Sequence, residues 1–179
     1  MTIPIISDSH GRSRRLGDIL QKLSVIGENA TELIFLGDGA TELIRNLSEG
    51  IRLYAVYGNC DNYGGALSLD IIDGDGNVVP AERIEEICGK RVFMTHGHKY
   101  GVKGGLTHAI SRAALLGADI LLFGHTHEPY LQRIPAGSVF GEVTLSRDLH
   151  VFNPGALENG SFGVLTVRNG EILLSHGRV

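Results

Sequence analysis

Two histidine pairs stand in this chain where a metal ion could use them. Gly124-His125-Thr126-His127 follows the apolar run Ile120-Leu121-Leu122-Phe123, and Thr95-His96-Gly97-His98 follows Val92-Phe93-Met94. Three further apolar runs end the same way. Ile3-Pro4-Ile5-Ile6 leads into Asp8-Ser9-His10, Leu33-Ile34-Phe35-Leu36 into Gly37-Asp38, and Leu53-Tyr54-Ala55-Val56-Tyr57 into Gly58-Asn59-Cys60-Asp61. Asp, Asn and His are oxygen and nitrogen ligands for divalent metals. One His-x-His pair is an ordinary surface feature, since histidine has several common roles. Five clusters of ligand-type residues, each just past an apolar run, are hard to explain by core packing.

The runs are short, apolar and partly β-branched or aromatic, which suits buried strands better than helices. Sites in open α/β sheets form just beyond the carboxyl ends of the strands, where these residues fall. Between the first two runs, Leu16, Ile19, Leu20 and Leu23 make an amphipathic stripe, so 13–25 is read as a helix. A second helix is expected over 41–47 and a third over 106–116, with Gly117 ending it. Strand, helix, strand, helix, strand in this order predicts parallel pairing with right-handed crossovers. A strand over 83–88 turns through Gly89-Lys90 into 91–95. After His127 the runs 130–134, 139–145, 149–152, 162–167 and 172–175 are close together with little helix, which predicts antiparallel pairing. The fold class expected is α/β: the two halves of the chain form two sheets packed face to face as a sandwich, helices outside, in one domain over 1–179.

Arg12, Arg14 and Arg15 open the first helix, where cations oppose the helix dipole; they are read as a solvated face, with a phosphate contact as the alternative. Asp73-Gly74-Asp75-Gly76-Asn77 lacks the spacing and terminal Glu of an EF-hand and is read as a turn. The 62–80 segment around it is the candidate for a flap. His108, His150, His176 and Cys88 are read as structural or exposed.

The 179 residues carry a net charge of −4 with no basic run, which argues against a duplex nucleic-acid surface. The two cysteines, Cys60 and Cys88, have no paired spacing, so no disulfide framework is expected. The chain enters its first strand at once and has no run of membrane-spanning length. A cytoplasmic protein without membrane contact is expected, and exposed sheet edges leave room for a homodimer or tetramer.

The ordered set Asp8-Ser9-His10, Gly37-Asp38, Gly58-Asn59-Cys60-Asp61, His96-Gly97-His98 and Gly124-His125-Thr126-His127 resembles the five motifs of the calcineurin-like metallophosphoesterase superfamily. The short chain, Gly58-Asn59-Cys60-Asp61 and Asn153-Pro154-Gly155 resemble its small prokaryotic phosphodiesterase branch. The resemblance implies a dinuclear centre. Asp8, His10 and His127 would hold one ion, and Asn59, His96 and His125 the other, with Asp38 bridging them. Mixed nitrogen and oxygen ligands without thiolate fit two ions of Mn, Fe, Co, Ni or Zn, Mn foremost. The implied reaction is hydrolysis of a small, nucleotide-like phosphodiester by a metal-bridging hydroxide. Asp38, Asn59, Asp61 and His98 would form the catalytic set. Asp61 is expected to orient the site, and His98 either to contact phosphate or to orient His96.

Cys60 departs from the pattern, since many relatives carry a histidine there as general acid. A thiol is a poor donor to an alkoxide, so fast turnover is expected only for esters with acidic leaving groups. Other readings compete. A metallo-β-lactamase would want Asp-His where Glu128-Pro129 stands, and an amidohydrolase would place His-x-His after its first strand. A phosphomonoesterase or nucleotidase would use the same ligands. A retromer subunit of this superfamily keeps the fold, has lost ligands and acts through protein contacts, so a weakly catalytic interaction scaffold is the alternative from another class.

Overall fold

The computed structural model describes residues 2–12, 14–25, 30–47, 49–61 and 76–179. β1 (Thr2–Ile6) leads to α1 (Arg14–Val25), β2 (Glu32–Phe35), α2 (Ala40–Asn46) and β3 (Arg52–Ala55). The hairpin β4 (Glu82–Ile87) and β5 (Lys90–Thr95) follows, then α3 (Thr107–Leu115) and β6 (Ile120–Phe123). The last third holds β7 (Pro129–Ile134), β8 (Val139–Phe140), β9 (Val143–Thr144), β10 (Leu149–Pro154), β11 (Ser161–Arg168) and β12 (Glu171–Arg178). The Asn62–Gly65 loop, the Asp73–Asp75 part of the turn and most of the flap candidate lie outside the described residues. No described helix is long and apolar enough to cross a membrane.

Two five-stranded sheets form the centre, in the orders β12-β11-β1-β2-β3 and β4-β5-β6-β10-β7. β1, β2 and β3 pair in parallel, as do β5, β6 and β10. The antiparallel members, β11–β12, β4 and β7, lie at the edges or lead to them. Strand alternation sorts the apolar residues into three layers. Ile3, Ile5, Ile34 and Leu36 face Met94, Ile120, Leu122 and Phe152 between the sheets. Ile6, Leu33 and Phe35 pack outward on Leu16, Ile19 and Leu23 of α1 and Leu43 of α2. Phe93, Leu121 and Phe123 do the same against Ala109, Ile110 and Ala113 of α3. Strands covered on both faces explain why the runs read as continuously apolar.

The two-sheet fold class expected from the sequence is the one found, with two differences of topology. The sheets do not divide between the halves of the chain, because the β11–β12 hairpin returns to the first sheet. The late strands are not all antiparallel either: β10 inserts beside β6 in parallel, with His150 opposite Ile120. The expected strand over 139–145 is instead a small hairpin, β8–β9, turning at Gly141 (φ 59°). Its two arms are both β-prone, so they ran together in the sequence.

Candidate metal centre

Every parallel strand delivers its ligand-type residues to one end of the sandwich. Backbone bonds stack the loops there: the Asp8 amide donates to Gly37 O (2.9 Å), the Ser9 amide to Asp38 O (2.9 Å) and the Gly124 amide to His96 O (3.1 Å). The two sheets are tied by the His125 amide, which donates to Asp8 Oδ2 at 3.1 Å. This crowding excludes side chains at key glycines. A Cβ on Gly58 would lie 2.1 Å from Asp38 Oδ1, and one on Gly124 2.0 Å from Ser7 Oγ.

Asp8, His10 and His127 form one cluster of ligand atoms, and Asp38, His96 and His125 a second. Asp38 Oδ2 lies 3.3 Å from His96 Nε2 and 3.9 Å from His10 Nε2, so its carboxylate stands between the clusters. Asn59 Oδ1 approaches His96 Nε2 at 3.1 Å. All seven residues expected to ligate metal therefore meet at one place. Cys60 joins them, grouping with His10 and Asp38; no reading of the sequence gave its sulfur a place among ligand atoms.

The backbone is bent to achieve this. Among the described residues, seven other than glycine have positive φ, and five of them are Asp8 (53°), His10 (41°), Asp38 (63°), His125 (67°) and His127 (62°). Asp and His tolerate the left-handed region better than most residues, yet each such placement is costly unless its surroundings enforce it.

The centre also has the unsatisfied chemistry of a cation site. Asp8 is fully buried, and its Oδ1 has no hydrogen bond. That oxygen faces His127 Nε2 at 3.1 Å, His96 Nε2 at 3.9 Å and His10 Nε2 at 4.0 Å. A buried carboxylate oxygen among imidazole nitrogens is stable when a cation sits between them. The residues present therefore fit a divalent metal.

Charges at the centre are unevenly set. Burial raises the Asp8 carboxyl, only partly offset by His96, its bond to Ser7 and His127. Burial pushes Asp38 the same way, but the hydrogen bond and charge of His96 and the Cys60 amide outweigh it, and the carboxyl lies well below its ordinary range. His96 is raised: its burial is outweighed by Asp38 and Asp8. His125 is pulled down to about 4 by burial and by the charges of His96 and Lys103.

The supporting residues are as specific as the ligands. Asp61 accepts four backbone amides, from Asp38 (2.8 Å), Gly39 (2.7 Å), Ala40 (2.8 Å) and Gly58 (2.7 Å). It fastens the second and third loops together, with both carboxylate oxygens taken up by backbone amides. No hydrogen bond joins His98 to His96. The His96 Nδ1 hydrogen is taken by Leu36 O at 2.7 Å, which turns Nε2 to the ligand cluster. The His98 ring stands 5.4 Å from His96, centroid to centroid, and its buried Nδ1 has no hydrogen bond.

Three supports went unseen in the sequence. Glu158 Oε1 lies 3.1 Å from His127 Nδ1. Ser7 Oγ donates to Asp8 Oδ2 at 2.6 Å. Asn153 Nδ2 donates to Gly124 O (2.9 Å) and Thr126 Oγ1 (3.0 Å), holding the loop between His125 and His127. Asn153-Pro154-Gly155 was the one available signal for this region; nothing marked Glu158, four residues beyond that Pro. Outside the centre, His108 and Cys88 are exposed. His176 stacks on Phe152 at 4.5 Å and bonds Asn153 O at 2.8 Å.

Residues 1–177 match the calcineurin-like phosphoesterase superfamily domain, and the chain belongs to that family. It is therefore a phosphoesterase-superfamily protein with a candidate divalent-metal site. The chain is similar to the probable metallophosphoesterase YsnB of Bacillus subtilis, 30% identical over 176 residues, covering 94% of this chain and 86% of YsnB. It is also similar to the Escherichia coli phosphodiesterase YfcE, 28% identical over 127 residues, which span 68% of this chain and 61% of YfcE. The fold is shared with Vps29 of Entamoeba histolytica, at a TM-score of 0.63 and 18% identity, covering 100% of this chain and 99% of that one.

Proposed function

We propose that this protein is a dinuclear metal-dependent phosphodiesterase. Asp8, His10 and His127 would hold one divalent ion, Asn59, His96 and His125 the second, and Asp38 both. The observation that carries the reading is the buried, unbonded Asp8 Oδ1 facing three imidazole nitrogens, with the Asp38 carboxylate between the two clusters. The similarity to YfcE, a phosphodiesterase by name, supports the substrate class.

Bound divalent ions supply Lewis acidity toward phosphate oxygens and a lowered pKa for water. The chain's own part is placement. Asp38 and Asp8 would set negative charge against the ions, and Asn59 would contribute a neutral oxygen, which favours stronger Lewis acidity. His98 lies beside the second cluster, its ring 6.2 Å from that of His125, and would contact a phosphate oxygen. A thiol is a poor donor to a leaving alkoxide, and before any ion neutralises Asp38 the Cys60 thiol is pushed up to about 11 by burial and by that carboxylate.

The test is hydrolysis of bis(p-nitrophenyl) phosphate by protein loaded in turn with Mn²⁺, Ni²⁺, Co²⁺ and Zn²⁺, beside p-nitrophenyl phosphate. Faster turnover of the diester is expected. Preference for the monoester would make it a phosphomonoesterase, and silence with all four metals would favour a scaffold. A matched alkyl diester should react far more slowly than the aryl one; equal rates would show an effective general acid.

A further inference from the structure

The three arginines that open α1 are not a featureless solvated face. Gly11, Arg12, Arg14, Arg15, Glu42 and Asn46 line a cleft of about 580 Å³. Gly11 follows His10 directly, so this cleft adjoins the first ligand cluster. Three guanidinium groups and one carboxylate leave a local excess of two positive charges on a chain whose net charge is −4.

Protein contacts do not account for these cations. None of the three has a carboxylate partner among the described residues. Arg12 Nη1 reaches Glu158 O and Arg15 Nη1 reaches Leu157 O, each at 3.4 Å, long contacts that leave most of their N–H groups unused. Arg14 is exposed, and no hydrogen bond or ion pair joins it to a described residue. Helix stability does not favour them either, since the start of a helix repels cations. Gly11 (φ 86°) adds no side chain to the cleft mouth.

We propose that this arginine cleft binds a second phosphate carried by an ester arm of the substrate, which makes the preferred substrate a phosphodiester with a further phosphate rather than a simple diester. The inference rests on the phosphodiesterase reading. Guanidinium forks match phosphate oxygens in shape and charge, which ammonium groups do not. The Arg12 contact with Glu158 O ties the cleft to the ligand shell, because the Glu158 side chain holds His127.

Binding provides a test that needs no turnover. Metal-loaded protein is titrated calorimetrically with thymidine 5′-phosphate and with thymidine 3′,5′-bisphosphate. The bisphosphate should bind at least about tenfold tighter, the scale of one charge-assisted contact. The advantage should disappear in Arg12→Gln/Arg14→Gln and survive in part in Arg14→Lys. Arg133→Gln, at the other end of the sandwich, controls for lost charge and should keep the wild-type ratio. Equal affinities in the wild type, or an unchanged ratio in the double variant, overturn the proposal.

Rates then separate this idea from the one beneath it. Thymidine 5′-(p-nitrophenyl phosphate) and its 3′-phosphorylated form are compared by kcat/KM, with a third ester whose 3′-phosphate continues to another thymidine. Gain with the terminal phosphate alone points to a bisphosphorylated small molecule, and gain with the continued chain to a single strand; gain with neither overturns the proposal. No turnover of any ester would sink the phosphodiesterase reading while leaving the binding result to stand or fall separately.

Discussion

The two ends of the sandwich treat charge and backbone in opposite ways. At the amino ends of β6 and β10, Arg133 bonds Asp148 through Nε (3.0 Å) and Nη2, and Arg147 meets Asp119 at 3.4 Å. Outside glycine, positive φ there belongs to two hairpin turns, Cys88-Gly89 and Asn169-Gly170, where paired left-handed residues suit the strand twist. At the carboxyl ends, five left-handed residues are Asp and His and serve no hairpin, and a buried carboxylate oxygen has no hydrogen bond. One end pairs most of its charged groups within the protein, the buried Glu32 Oε2 excepted. The other holds strain and charge that only a ligand completes, as functional sites commonly do.

Removing the carboxylate that stands between the clusters should erase the contrast. Asp38→Asn is expected to lower diester turnover roughly a thousandfold, the scale of a lost electrostatic stabiliser. Metal content by elemental analysis should fall with it, while circular dichroism stays native. Full activity in this variant would break the assignment of Asp38.

Metal removal sharpens the comparison thermodynamically. Ion at a hundred times its Kd stabilises the fold by about 2.7 kcal/mol, roughly 5–10 °C in Tm for a chain this size. The gap should depend on pH through His96. Its folded pKa is raised, so its own contribution in the metal-free protein is complete below the unfolded value of 6.5 and is lost as pH rises through the folded value. Metal binding needs that proton gone. The Tm difference between metal and EDTA should therefore widen from about pH 6 to pH 8. A gap that narrows over this range would contradict the assignment.

Glu158→Gln probes support rather than ligation. Losing the carboxylate beside His127 Nδ1 should cost about 10–100-fold in metal affinity, as lost orienting partners do. Titration with Co²⁺, followed by its visible spectrum, measures this, and wild-type affinity would show that Glu158 does not orient His127.

The pattern of what was legible follows the same divide. Ligands were readable because each closes an apolar run, and runs buried on both faces are the strongest signal a parallel sheet leaves. Their supports were not. Glu158, the Leu36 carbonyl and Asn153 reach the centre through tertiary packing, with no local spacing to mark them. Pairing was half legible: neighbours β1, β2 and β3 were placed correctly, while β10 and β11 each join strands distant in sequence. The β4–β5 turn was expected at Gly89-Lys90 and falls at Cys88-Gly89, since cysteine is not an ordinary left-handed residue.

The smallest effect is expected where the molecule satisfies itself. Arg133→Gln breaks an exposed pair whose partner Asp148 keeps the Ala136 amide at 2.9 Å. Exposed ion pairs contribute little to stability. Diester turnover, metal content and the metal-dependent Tm gap should all match the wild type. This outcome is needed for the contrast to hold: if a charge at the amino ends of β6 and β10 moves metal binding at their carboxyl ends, the two regions are coupled through the sheet. The strain around Asp8 and Asp38 would then be a property of the whole sandwich rather than of the loops that carry them.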